Sequence, residues 1–136
     1  MPKKKTFVDA NVLIAAFQGK EEISEKALMI LDDPEREFIV SDYLRLEVIP
    51  KPRFHRKQEE VEFMEAFFES ASEEVGSTPT LTLQAIELAS KHDLRPLDAL
   101  HASVAVQADA DEFITVEKEN KPLFRVNNLT VKSLLS

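Results

Sequence analysis

The 136-residue chain carries 17 Lys and Arg against 25 Asp and Glu, a net charge of -8, and 43% of its residues are apolar. That length supports one hydrophobic core, so residues 1–136 are expected to form a single domain. With no cysteine in the chain, a disulfide scaffold, a thiolate metal site and a cysteine nucleophile are excluded.

The basic start, Met1 to Lys5, leads into an apolar run that Asp9 and Asn11 break at once, which argues against a secretory leader. No stretch reaches membrane-spanning length, and a cytoplasmic protein is expected. Thr6 to Leu13 reads as a first strand with polar side chains at its carboxyl end. On such a strand Asn11, two residues beyond Asp9, shares its face. From Glu21 to Leu31 the positions Ile23, Ala27, Ile30 and Leu31 keep a helical period, which Asp32, Asp33 and Pro34 end. Phe38 to Ser41 reads as a second strand, followed by a short helix that places Leu44 and Val48 inward and ends at Pro50.

Lys51, Arg53, Arg56 and Lys57, together with His55, then form a basic run with no acidic residue inside it. In a chain so acidic overall, this run is the expected contact for a nucleic-acid backbone, whose binding depends on cationic neutralisation. Val61, Met64, Phe67, Phe68 and Ala71 mark a helix whose apolar stripe belongs to the core. Glu73 to Gly76 is weakly strand-like. Thr78 and Pro79 have the cap-then-proline form of a helix start, leading to Ala85, Leu88 and Ala89. Pro96 opens another helix through Ala99, Ala102, Ala105 and Val106; Phe113 to Val116 and, more weakly, Leu123 to Val126 read as the last strands.

Strands alternating with helices predict an α/β fold with a central, mostly parallel sheet flanked by helices. Ligands in such folds gather beyond the carboxyl ends of the strands. Asp9, Glu47, Asp98 and Glu117 all fall there: late in the first strand, in the helix after the second, in the first turn of a helix, and just past a late strand. The only glycines, Gly19 and Gly76, form no phosphate-binding loop.

Asp9 lies in a run too apolar for an unpartnered carboxylate, so either turn amides or a cation must meet it. Asp98 suits a helix N-terminus by charge alone. His101, one helical turn later, is read as a structural histidine near Asp98 rather than as a metal ligand. Glu47 stands in an apolar helix, and Glu117 in what composition alone makes a polar turn. Together the four acids form an oxygen-rich set of the kind hard cations such as Mg2+ prefer. Cations so held can polarise a phosphate and generate hydroxide without a serine or histidine nucleophile.

With these residues in view, nearly the whole chain resembles the PIN-domain nucleases, and most closely the small stand-alone toxins of the VapC type. Val8 to Ile14 looks like that family's opening strand and first acid, and Ser41 to Val48 like the segment that supplies the second. Leu97 to Ala102, with Asp98 followed three positions later by His101, is similar to the third motif; Ile114 to Glu117 occupies the place of the last, where Asp is more usual than Glu. The resemblance implies one PIN-like nuclease domain over residues 1–136, dependence on Mg2+ or Mn2+, and hydrolysis of an RNA substrate. It also implies an antitoxin partner and homodimerisation. Asp9, Glu47 and Asp98 would be the core ligands, with Glu117 holding a second ion or its water, and Asn11 and Thr115 orienting the site. Two other readings stay open at this stage: a phosphatase with Asp9 as nucleophile, and a PIN-like regulatory or RNA-binding module without catalysis.

Overall fold

The computed structural model describes residues 2–135; Met1, at the head of the basic start, and Ser136 lie outside the described residues. A five-stranded sheet in the order β3-β2-β1-β4-β5 forms the centre, with β1 at Lys4–Val8, β2 at Arg36–Ser41, β3 at Glu73–Val75, β4 at Glu112–Thr115 and β5 at Val131–Ser133. Every pairing is parallel, so all the strands point their carboxyl ends to one edge. Chain order reverses between β1 and β4, and that switch point places the ends of these two strands side by side.

Alternation along the strands sends side chains to two separate cores. Phe7, Ile39 and Phe113 pack with Leu81, Ala102 and Ala105 from α6 (Pro79–His92) and α7 (Pro96–Gln107). Val8, Val40 and Ile114 face the other way and meet Leu13, Leu44 and Met64. Those three come from α1 (Ala10–Gln18), α3 (Asp42–Val48) and α5 (Gln58–Ser70). The small residues Ala99, Ala102 and Ala105 are buried, and Ser103 bonds the Leu81 carbonyl at 2.8 Å, so α7 packs closely beneath α6. The expected α/β architecture is therefore present, with α2 (Glu21–Leu31) and α4 (Pro50–Phe54) completing it.

Three local expectations are corrected. The first strand does not run to Leu13: it ends at Val8, and α1 begins at Ala10. Asp9 causes the change, because its side chain accepts from the Ala10 amide at 2.8 Å and its carbonyl from Val12 at 3.0 Å; an apolar run alone does not tell a buried strand from a buried helix. Asn11 accordingly stands in the first turn of a helix rather than on an extended strand.

The second correction concerns Leu123 to Val126, where a 3-10 turn spans Pro122–Arg125. Proline suits the first turn of a helix because its missing N–H is not needed there. The last strand is Val131–Ser133, three residues too short for alternation to reveal. Third, Pro50 both follows one helix and opens the next, so part of the basic run lies on α4. Among the described residues no helix is long and apolar enough to cross a membrane.

Candidate metal centre

Asp9 reaches the site because it is where β1 becomes α1. Its Oδ2 accepts from the Thr115 hydroxyl at 3.1 Å across the switch point. With its one O–H engaged on Asp9, Thr115 Oγ1 accepts from Asn11 Nδ2 at 3.2 Å and from the Glu117 amide at 3.1 Å. Asn11 Oδ1 in turn accepts from the Val116 amide at 3.1 Å. The end of β4 is thereby tied to the first turn of α1, with Thr115 as the junction. The loss of that junction is a direct test. Thr115→Val, which keeps the shape and deletes the hydroxyl, is expected to weaken divalent-cation binding by roughly 10-fold and to lower stability by about 1 kcal/mol. Calorimetric titration and urea unfolding measure the two effects separately, and unchanged cation affinity would remove Thr115 from the site.

Glu47 comes from α3, whose start is capped by Ser41 Oγ accepting from the Leu44 amide at 3.1 Å. Leu44 and Val48 are buried against the sheet, which carries Glu47 toward α7. There it meets His101, whose Nε2 donates to Glu47 Oε1. The ring is 1% exposed, and because a carboxylate only accepts, Nε2 carries the proton of this bond. Among the described residues Nδ1 has no hydrogen-bond partner. His101 is thus not the fully satisfied histidine expected from sequence, and its hydrogen bond goes to Glu47 rather than to Asp98. Potential ligand atoms of Asp9, Glu47 and His101 lie within 4.8 Å of one another.

Asp98, in the first turn of α7, and Glu117, just after β4, line the same cleft of about 500 Å³ with Asp9, Asn11 and Glu47. Arg95 stands between them, its Nε 3.6 Å from Asp98 and its Nη2 3.7 Å from Glu117. Sequence reasoning missed Arg95; its place immediately before Pro96, at the N-cap of α7, was the available signal. The guanidinium is largely exposed, so its attraction is screened.

The electrostatics are those of acids short of positive charge. Burial pushes the Asp9 carboxyl up to about 6, Asp98 adds to the rise, and His101, Thr115 and the Ala10 amide oppose it. Asp98 is also raised, first by its own burial and then by Glu117 and Glu47, with Arg95 and His101 pulling the other way. A divalent cation would supply the charge these groups lack, and the carboxylates of Asp9, Glu47, Asp98 and Glu117, which line one cleft, are an oxygen donor set that fits one, with His101 holding Glu47.

The basic run divides. Lys51 and Lys57 line a cleft adjoining the acids, which has Glu47 in its own wall. Arg53 instead lines a different groove with Arg45, and pairs with Glu65 at 3.4 Å. Arg56, exposed and with φ of 57°, lies in the turn after α4.

No curated protein matches the sequence. Among solved structures, similar chains include VapBC2 from Rickettsia felis bound to a promoter DNA fragment, at 14% identity and TM-score 0.71, covering 95% of this chain and 98% of that one. A toxin-antitoxin complex from Klebsiella pneumoniae contains another, at 17% identity and TM-score 0.68, with coverage of 94% and 96%. DNA-bound VapBC from Salmonella typhimurium gives 14% identity and TM-score 0.66, with coverage of 96% and 98%. Identities this low speak to the fold. The sequence itself matches the family model described as the PIN domain over residues 6–124, with the acids at the switch point inside the matched region, and the chain belongs to the PIN-domain family.

Proposed function

We propose that this chain is a metal-dependent endoribonuclease of the VapC toxin type, hydrolysing RNA phosphodiesters. The observation that carries the reading is the meeting of Asp9, Glu47 and His101 within 4.8 Å, in a cleft that Asp98 and Glu117 also line. On this reading residues 1–136 form one nuclease domain. Asp9, Glu47 and Asp98 would hold Mg2+ or Mn2+, with Glu117 at the outer side. The chemistry that a cation held by these residues would supply is polarisation of the phosphodiester and activation of a water near neutral pH.

The chain's own residues prepare that reaction. Thr115 and the Ala10 amide fix the Asp9 carboxylate by its two oxygens, and His101 fixes Glu47, so the acids need little reordering when phosphate arrives. Asn11 holds the α1 and β4 ends together. Arg95, beside Asp98 and Glu117, offers a cation to a phosphate oxygen at the cleft mouth. The preference for RNA over DNA, an antitoxin partner and homodimer formation belong to the same reading; the antitoxin is supported by the likeness to chains from VapBC complexes.

Purified protein freed of any copurified partner is expected to cut members of a diverse RNA pool in Mg2+ or Mn2+, and to stop in EDTA. Folded, cation-binding protein that leaves every RNA intact would overturn the assignment and favour a binding module. A covalent adduct at Asp9 would instead favour the phosphatase reading.

A further inference from the structure

Beside the acidic cleft lies a second one of about 410 Å³. The two share Ile14 and Glu47, so a strand crossing the acids enters the second cleft directly. Its lining adds two cations, Lys51 and Lys57, and three further polar groups, His55, Gln18 and Glu60.

Glu60 is the unusual member. It is 6% exposed, and its partner among the described residues is an amide: Gln18 Nε2 donates to Glu60 Oε2 at 3.1 Å. A carboxylate offers about four acceptor directions; among the described residues neither oxygen of Glu60 is a buried atom without a partner, so the directions that Gln18 leaves open face the cleft that Glu60 lines and call for a donor there. Glu60 stands in the first turn of α5, where the helix N-terminus favours a negative charge, and so presents a carboxylate acceptor to the cleft. Phosphates, which only accept, cannot meet that need. In single-stranded RNA the amino groups of guanine, cytosine and adenine each carry two N–H donors, and guanine adds a ring N–H beside its amino group, whereas uracil offers a single ring N–H. Ile14, 37% exposed at the junction of the clefts, supplies apolar surface for a base face.

We propose that this second cleft is a nucleobase subsite, in which Glu60 and Gln18 read the amino-bearing edge of a base next to the scissile phosphate while Lys51 and Lys57 hold the adjoining phosphate. It deepens the nuclease reading by naming a residue that chooses where RNA is cut, and rests on that reading for the bond broken. Binding at the subsite needs neither cation nor cleavage, which separates the two ideas experimentally.

The test is NMR titration of the full chain in EDTA with the 5′-monophosphates of guanosine, cytidine, adenosine and uridine. At least one amino-bearing nucleotide is expected to bind about fivefold or more tighter than the uridine nucleotide, shifting resonances of α1 and α5, and the order among the three identifies the base. Glu60→Gln is expected to bring that preference within about twofold, whereas Lys51→Ala weakens all four together. Equal binding of the four, no binding, or a preference that survives Glu60→Gln would overturn the subsite; the parent chain alone decides if the variant does not fold. A chain that discriminates nucleotides but leaves RNA intact with Mg2+ would keep the subsite and overturn the nuclease. Cleavage without discrimination would do the reverse.

Discussion

Asp9→Asn is expected to lose at least roughly 100-fold in metal-dependent RNA cleavage and, in EDTA at pH 8, to unfold at a higher temperature than the parent chain. Both effects follow from one carboxylate. Asp9 is 6% exposed, and burial together with Asp98 raises its carboxyl to about 6 from an ordinary 3.8. A folded-state value above the unfolded one means that the native protein holds its proton longer. The stability associated with this group is fully present below about 4 and is lost as pH rises through about 6, a change on the order of 3 kcal/mol for the cation-free chain. Asparagine never ionises and avoids that loss, while it keeps an oxygen for the Ala10 amide. The same arithmetic makes cation binding compete with a proton. Stabilisation of the parent chain by Mg2+ or Mn2+ should therefore grow as pH rises toward 6 and flatten above it, with Asp9→Asn showing little stabilisation at any pH. Thermal unfolding from pH 5 to 8, with and without the cation, checks this; a variant that still gains stability from the cation would take Asp9 out of the site.

The second large effect is expected at the opposite end of the sheet, where Glu112→Ala should cost about 3 kcal/mol of stability at pH 7. Glu112 begins β4 with a fully buried side chain. It accepts from Thr6 on β1 at 2.7 Å, from Arg36 on β2 at 2.7 Å and from Lys132 on β5 at 3.0 Å. Burial by itself would raise its carboxyl, but the bonds from Arg36, Thr6 and Lys132 outweigh burial and bring it down to about 2 from 4.5. The depressed value places the stabilisation above about pH 4.5 and removes it as pH falls toward 2. Truncation also strips the half-buried Arg36 of one of its two acidic partners, the other being Asp33 at 2.7 Å. Urea unfolding at pH 7 and at pH 3 should show a difference between the two proteins that shrinks in acid; a constant difference would mean that packing, not charge, holds this corner. Because the parallel strands put Glu112 and Asp9 at opposite edges, cation affinity of the folded variant should match that of the parent.

Much of this site was legible in one dimension because each acid came with a local physical reason. An Asp in an apolar run, an Asp in the first turn of a proline-opened helix and a Glu just past a strand each mark a strand's carboxyl edge or the helix that follows, and a parallel sheet brings those edges together. The boundary at Asp9 was not legible in the same way. Residues from Phe7 to Ala16 are nearly all apolar, and it is the cap formed by Asp9 itself, meeting the Ala10 amide, that turns a strand into a helix there. Leu123 to Val126 misleads for a similar reason: its apolar residues are buried by a 3-10 turn, and burial has no period in four residues.

The ring of acids is likewise sharpened into two groups. Asp9 and Glu47 stand together with His101, whereas Asp98 and Glu117 stand beside Arg95. That the fold is a mostly parallel α/β sheet was determined by the sequence alone, because hydrophobic period, proline and capping residues act over a few neighbouring positions; the four acids were singled out by strand ends together with the family resemblance, and spacing by itself does not make them converge. The hydrogen bond from His101 to Glu47, the placing of Arg95 between two acids and the division of the basic run between separate grooves were decided only by tertiary structure. Each depends on how α3, α4 and α7 rotate as they pack on the sheet, and that rotation is set by contacts between residues far apart in the chain.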